Sequence, residues 1–217
     1  MDFEQARFNM VEQQIRTWQV LDQQVLDLMS MLPREDFVPP ALRDLAFADL
    51  QIPLGHGAAM MPPKLEARIL QTLEIAAGDR VLEIGTGSGY LTALLAHLAK
   101  HVYSVEIVPE LSESAGRKLA ARGIDNVTLE VGDAARGWIR HAPYDVIVLT
   151  ASTGILPASM QDMLAPGGRL FAIVGTAPAM VAKLLTRVTD NAFRTADLFE
   201  TCVPPLKNAL QPERFIF

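Results

Sequence analysis

Residues 81–90 read Val-Leu-Glu-Ile-Gly-Thr-Gly-Ser-Gly-Tyr. A short apolar run carrying one acid, Glu83, breaks into glycines at alternate positions, Gly85, Gly87 and Gly89, with Thr86 and Ser88 between them. A helix-forming run, Leu91 to Leu98, follows. Strand, glycine turn and helix in that order bring bare backbone against a nucleotide-like ligand. A dinucleotide fingerprint needs its third glycine where helix and strand pack closest, and here Tyr90 fills that position. Two more acids arrive at the ends of the next strand-like runs. His101 to Glu106 places a carboxylate 21 residues after Gly85, with Ile107 beside it. Such an acid can accept both hydroxyls of a ribose; the alternative is a solvated strand-end charge facing Lys100 or Arg117. Val127 to Val131 leads into Gly132-Asp133-Ala134, where Asp133 can accept from an adenine amino group or cap a helix.

The elements that must position these acids are legible in outline. From Phe3 to Trp18 apolar residues recur at Phe3, Met10, Val11, Ile15 and Trp18, a helical spacing. A second helix carries Leu21, Val25, Leu28 and Leu32 on one stripe, starts near Asp22 and stops at Pro33; Pro39-Pro40 introduces a third, Ala41 to Ala48. This preamble suggests a lid or substrate-side layer, or extra helices packed on the sheet. Tyr144 to Thr150 is a nearly continuous apolar strand of the kind buried on both faces. A helix is expected from Pro157 to Leu164, then a sharp turn at Pro166-Gly167-Gly168 and a strand from Arg169 to Val174. Residues 181–189 fit alternation about as well as helix, and Asp190-Asn191 makes a turn before Phe193 to Phe199, a hairpin-like antiparallel edge. Strands alternating with helices imply a parallel sheet. The fold class expected is α/β: a doubly wound, mostly parallel sheet with an N-terminal helical layer and an antiparallel C-terminal edge. One domain is expected over residues 1–217, divided into a helical substrate-side layer and loop (1–62), an α/β core (63–180) and the antiparallel edge (181–217).

Composition narrows the classes. The chain has 217 residues, half of them hydrophobic, enough for one sizeable core. No apolar run approaches the roughly 20 residues of a membrane helix, and the N-terminus is acidic where a secretory signal would be basic. Cys202 stands alone, which excludes a disulfide within the monomer and points to a cytoplasmic location. A net charge of −6 argues against a nucleic-acid partner. His97 and His101 have a spacing that could put two imidazoles on one helix face, but no third ligand is near in sequence, so no metal is expected.

The alternate-glycine turn with an acid two residues before it resembles motif I of the S-adenosylmethionine (SAM) methyltransferases. That resemblance implies SAM as donor and S-adenosyl-L-homocysteine as product. Glu83 with Gly85, Thr86, Gly87, Ser88 and Gly89 would then hold the methionine end, Glu106 and Ile107 the ribose, Asp133 and Ala134 the adenine, with Thr150 beside them. Beyond this motif, the chain resembles the protein-L-isoaspartate O-methyltransferases across nearly its full length. The resemblance rests on M-V-E-Q-Q-I-R (10–16), L-P-R-E-D-F-V-P (32–39), I-P-L-G-H-G (52–57), residues 78–90, V-Y-S-V-E (102–106), A-P-Y-D-V-I-V-L-T-A (142–151) and V-P-P-L (203–206). It implies an isoaspartyl side-chain carboxylate, in a protein or peptide, as methyl acceptor. A monomer or weak dimer is expected, with no membrane partner.

Two substrate-side segments depart from the family. Where the family carries T-I-S-x-P, whose serine contacts the substrate carboxylate, this chain reads Ala59-Met60-Met61-Pro62-Pro63. Met61 stands at the serine position, and a thioether cannot donate a hydrogen bond. The family's A-A-P-P reads Ala151-Ser152-Thr153-Gly154. The acceptor pocket is expected to be shaped by Pro53, His56, Met60, Met61, Ala151, Ser152, Val203 and Pro204. His56 could donate to a carboxylate, act as base for a less acidic acceptor, or be a surface residue. Met60 and Met61 either line the pocket or fill gaps under the helical layer. The catalytic residue is left unassigned. Two other readings stay open: a methyltransferase of a different small acceptor, and a SAM-binding protein without turnover.

Overall fold

The computed structural model describes residues 2–212. The chain opens with α1 (Phe3–Asn9), capped by Asp2, whose carboxylate accepts from the Glu4 and Gln5 amides. The helix continues as a π turn over Met10–Ile15 and a 3-10 turn over Arg16–Trp18. The single helix expected from Phe3 to Trp18 is therefore three helical forms in series, which bring Met10, Val11 and Ile15 to the buried side together. Asp22 caps α2 (Gln23–Met31) by accepting from the Gln24 and Val25 amides. The expected third helix is a 3-10 turn over Pro40–Leu45. Residues 52–60, expected as a loop, form a small antiparallel hairpin of β1 (Ile52–Gly55) and β2 (Ala58–Met60). Gly55, His56 and Gly57 turn it.

From α3 (Pro63–Leu73) the chain alternates: β3 (Arg80–Ile84), α4 (Tyr90–Leu98), β4 (His101–Glu106), α5 (Pro109–Ala121) and β5 (Val127–Val131). There follow β6 (Tyr144–Thr153), α6 (Ala158–Asp162), β7 (Leu164–Thr176), β8 (Ala179–Thr189) and β9 (Ala192–Thr201). The sheet order is β5-β4-β3-β6-β7-β8-β9, parallel through β7 and antiparallel in β8 and β9. The ambiguous 181–189 segment is thus strand, because two neighbours supply both of its hydrogen-bonding edges. Strand β7 starts at Leu164, earlier than expected: Tyr144 pairs with Leu164 and extends the ladder back through the Pro-Gly-Gly segment. His97 ends up exposed on α4, while His101 begins β4 and hydrogen-bonds Thr128, so the two imidazoles share no helix face. The helix stops at Leu98 because the Lys100 amide turns to the Asp79 carbonyl instead.

Alternate residues of the central strands β3, β6 and β7 enter two separate hydrophobic cores. Val81, Val146, Val148, Phe171 and Ile173 pack with the N-terminal layer, α3 and α4. Leu82, Ile147, Leu149, Leu170 and Ala172 pack with Met160 of α6 on the other face. This is the burial that continuous apolar strands require. The N-terminal layer lies on the first face and is tied there by polar contacts. Gln71 of α3 accepts from the Leu21 and Asp22 amides and donates to the Gln19 carbonyl. Lys118 of α5 donates to the Phe37 and Ser88 carbonyls, joining that layer to the glycine turn. Among the described residues no helix is long and apolar enough to cross a membrane.

Leu70 and Gln71 separate the two kinds of attachment. Leu70→Ala is expected to cost about 2–5 kcal/mol, because a buried side chain leaves a cavity under the layer. Gln71→Ala should cost about 1 kcal/mol, since water can reach the amides it frees. Urea unfolding of both variants checks this, and a Gln71→Ala curve superimposing on wild type would mean that the Gln19–Asp22 linker is held by packing alone.

Candidate active site

The chain leaves β3 for β4 and β5 on one side, then crosses to β6 on the other. In open α/β sheets the crevice beyond the carboxyl ends at such a switch point is where ligands bind. An open cleft of about 810 Å³, its solvent-filled mouth included, lies there. Its walls come from the glycine turn, the tips of β4, β5 and β6, the β1–β2 hairpin and the segment after β9.

The turn is held from both sides. The Gly85 amide donates to the Val105 carbonyl of β4, at 2.8 Å. From β6, the Thr150 hydroxyl reaches the Gly85 carbonyl at 2.7 Å and the Ile84 carbonyl at 3.0 Å. Gly85 has φ +99, and a Cβ there would collide with the Thr150 hydroxyl oxygen. Glycine is thus required twice over, by conformation and by space. Glu106, at the tip of β4, is buried and faces neither Lys100 nor Arg117: its two oxygens accept from the Gly87 amide (2.9 Å) and the Val108 amide (3.0 Å). Each oxygen keeps a lone pair for a further donor. Asp133, past the tip of β5, accepts from the Ala135 amide (3.0 Å) and the Asn208 side chain (2.8 Å). No helix starts at Asp133, so it caps none. Gly85, Gly87, Glu106, Ile107, Asp133, Ala134 and Thr150 all line the cleft.

Glu83 sits one layer deeper. It is fully buried, with one oxygen accepting from Thr92 (2.5 Å) and Ser104 (2.6 Å) and the other unpartnered. Ser104 in turn accepts from Thr86, since its own proton is used on Glu83. Burial pushes the Glu83 carboxyl up to about 8, against the pull of the Ser104 and Thr92 hydroxyls. Glu83 faces a smaller chamber of about 290 Å³ with Thr86, Ser88, Met60 and Glu66; Ala59, Met61, Gly85, Gly87 and Thr150 line both this chamber and the main cleft. Gly89 lines neither space; it starts α4 and packs against Ala115 of α5.

The predicted acceptor residues divide. Met61, Ala151, Val203 and Pro204 line the main cleft and Met60 the smaller chamber. Pro53 and His56 are exposed on the hairpin outside both linings. His56 is at the tip of the turn, with φ +53, exposed and not among the residues that line the cleft. Ser152 is fully buried: its hydroxyl bonds the Val203 carbonyl and its backbone pairs with Pro204 and Leu206, so it fastens the chain's last segment instead of facing a ligand. Sequence reasoning missed Gln51, Leu206 and Lys207, which line the cleft. Gln51 donates to the Cys202 carbonyl across 151 residues of chain, a contact no local pattern announces.

A doubly wound sheet with an alternate-glycine turn at its switch point and acids at the next two strand ends defines the class of SAM-dependent methyltransferases. The comparisons narrow it. Residues 5–210 match the protein-L-isoaspartate(D-aspartate) O-methyltransferase family, and the chain belongs to that family. It is 42% identical over 205 residues to protein-L-isoaspartate O-methyltransferase 1 of Rhodopseudomonas palustris, covering 94% of this chain and 84% of that one. A solved protein-L-isoaspartate O-methyltransferase superposes with TM-score 0.78 at 25% identity over 92% of this chain, which spans 65% of that chain's length. A Plasmodium falciparum structure provisionally given the same activity, in complex with S-adenosyl-L-homocysteine, superposes with TM-score 0.79 at 21% identity, over 92% of this chain and 97% of that one.

Glu83 makes a pH prediction. With its carboxyl raised from 4.5 to about 8, the folded chain holds a proton that the unfolded chain releases between those values. Stability should therefore fall as pH rises through that window. Glu83→Gln keeps the two hydroxyl partners and removes the titration, so its unfolding free energy should drop less than that of wild type between pH 5 and pH 8. Parallel slopes in urea titrations at the two pH values would show that Glu83 does not titrate there.

Proposed function

We propose that this chain is a carboxyl O-methyltransferase that transfers a methyl group from SAM to the side-chain carboxylate of isoaspartyl residues in proteins or peptides. The observation that carries this reading is a single cleft joining the glycine turn and the acid-tipped strands to residues 57–61, the second arm of the hairpin and its exit, and the Val203–Leu206 segment. Donor and acceptor can thus meet in one enclosure. Three carboxyl groups support the donor side of this reading. Glu106 has spare lone pairs for ribose hydroxyls, Asp133 lines the same cleft, and the Glu83 carboxyl at the smaller chamber becomes an acceptor for an ammonium group once it is ionised.

SAM supplies a methyl group already activated by its sulfonium. An isoaspartyl carboxylate, with a reference value of about 4, is ionised at neutral pH and needs no base. What remains for the chain is placement and the exclusion of water. Ala58, Ala59, Met61, Ile84 and Val203 give the cleft apolar walls, and the hairpin and the last segment flank it. A cation and an anion react there to neutral products, so walls of low polarity do not oppose the step. The lone Cys202, exposed at the end of β9, supports a cytoplasmic location, and a monomer or weak dimer remains the expected state.

One observation favours a second reading. Met61, nearly buried, presents a thioether where the family resemblance implies a hydroxyl. Such a wall suits a less polar acceptor that uses the same donor site.

Two measurements test this function, the first the donor site that both readings share and the second the acceptor that separates them. Calorimetry should give micromolar or tighter binding of SAM, and Glu106→Ala should weaken it by about 1–3 kcal/mol; an unchanged affinity would remove Glu106 from the ribose site. Labelled methyl transfer to an isoaspartyl peptide, and not to its aspartyl control, should be weak in wild type. Met61→Ser should raise it about tenfold to a hundredfold, as a hydrogen bond to a charged group is worth roughly 1.5–3 kcal/mol. SAM binding with no transfer by wild type or variant would favour the other acceptor.

A further inference from the structure

Arg34 is the largest fully buried side chain of the described residues. Its guanidinium has partners from separate parts of the chain. Nε donates to the Ala46 carbonyl at 2.7 Å, one terminal nitrogen to the Met61 carbonyl at 2.6 Å, and the other to the Glu66 carboxylate. Its face lies 4.9 Å from the centre of the Tyr90 ring, the first residue of α4 after the glycine turn. Burial pushes Glu66 up to about 7, while the Arg34 charge and hydrogen bond pull it down. A buried ion pair is a weak source of stability, because desolvation offsets the attraction. Its geometry suggests another use. The Met61–Pro62 peptide has no N–H, so its carbonyl is its one hydrogen-bonding group, and Arg34 takes it. Residue 61 lines both the main cleft and the smaller chamber, and Glu66 lines the chamber beside it.

We infer that Arg34 is a positioning residue for methyl transfer: through the Met61 carbonyl it fixes where side chain 61 stands between the glycine turn and the acceptor side of the cleft. The inference rests on the proposed function for its kinetic consequence, but the position of Met61 can be read without it. Only a planar fork can hold the Ala46 and Met61 carbonyls and the Glu66 carboxylate at fixed angles together. Lysine keeps the charge and Glu66's partner but cannot hold all three. A shift of about 1 Å at a reacting pair can cost on the order of a hundredfold in rate.

The test uses Arg34→Lys and the paired variant Arg34→Met/Glu66→Leu, which leaves no uncompensated buried charge. Methyl-labelled methionine spectra give a direct signal for Met61, assigned by its disappearance in Met61→Leu, with Met160 and Met163 of the opposite core as internal references. Both variants should move the Met61 signal and leave the references in place. Both should lower kcat on an isoaspartyl peptide at least tenfold, with SAM affinity within about twofold of wild type. The paired variant should regain melting temperature without regaining rate, an outcome a purely stabilising role does not produce. Unmoved Met61 signals in folded variants overturn the inference, as does recovery of rate together with stability. If wild type transfers nothing to the peptide yet the Met61 signal still moves, the acceptor assignment fails and the positioning of residue 61 stands.

Discussion

The site depends on how the end of β3 is clamped. Gly85 is pinned by β4 through its amide and by β6 through its carbonyl, at a φ and in a space that admit no side chain. The clamp spans the switch point of the sheet, so the two strands that hold the turn also place the flanking groups of the cleft, Glu106 on one side and Thr150 with Ala151 on the other. A single close-packed peptide therefore sets the distance between the strand-tip acid on one side of the cleft and the wall formed by the end of β6 on the other. Continuous burial of β3 and β6 on both faces keeps that distance fixed, because neither strand can move without opening a core.

The rest of the chain completes the cleft around this point. The hairpin enters from the N-terminal side and the Val203–Lys207 segment from the C-terminal side, and Gln51 joins them through the Cys202 carbonyl. Ser152 then fastens the same segment to the end of β6. Two pieces of chain distant in sequence are thus held to one strand tip by ordinary hydrogen bonds, each of modest net value. Their arrangement matters more than their strength.

Buried ionisable groups gather at and behind the smaller chamber that adjoins the cleft. Glu83, Glu66 and Arg34 are all inaccessible, and leaving any one without a partner is costly. Arg34 and Glu66 satisfy one another, while Glu83 is held by two hydroxyls and retains one open oxygen. Stability alone would favour hydrophobic side chains at these positions, so these groups mark where the fold gives up stability to keep polar side chains beside the cleft.

The α/β class, the place of the glycine turn and the acids at the strand ends were legible in the residues alone. Those features follow from local rules: apolar runs with period 2 or continuous burial, glycines where backbone must approach, acids at fixed offsets. The run Val146–Leu149 could be read as doubly buried because nothing in it is polar. Other features arise only from packing between distant segments. Hairpin pairing of 52–60 depends on partners across the turn, and 181–189 becomes strand only because β7 and β9 flank it. His56 leaves the cleft because it occupies the tip of the hairpin, and Ser152 because its hydroxyl is taken by Val203. The roles of Arg34 and Gln51 come from contacts that cross 27 and 151 residues. Side-chain direction and long-range hydrogen bonds are set by packing among distant segments, and no periodicity within a segment encodes them.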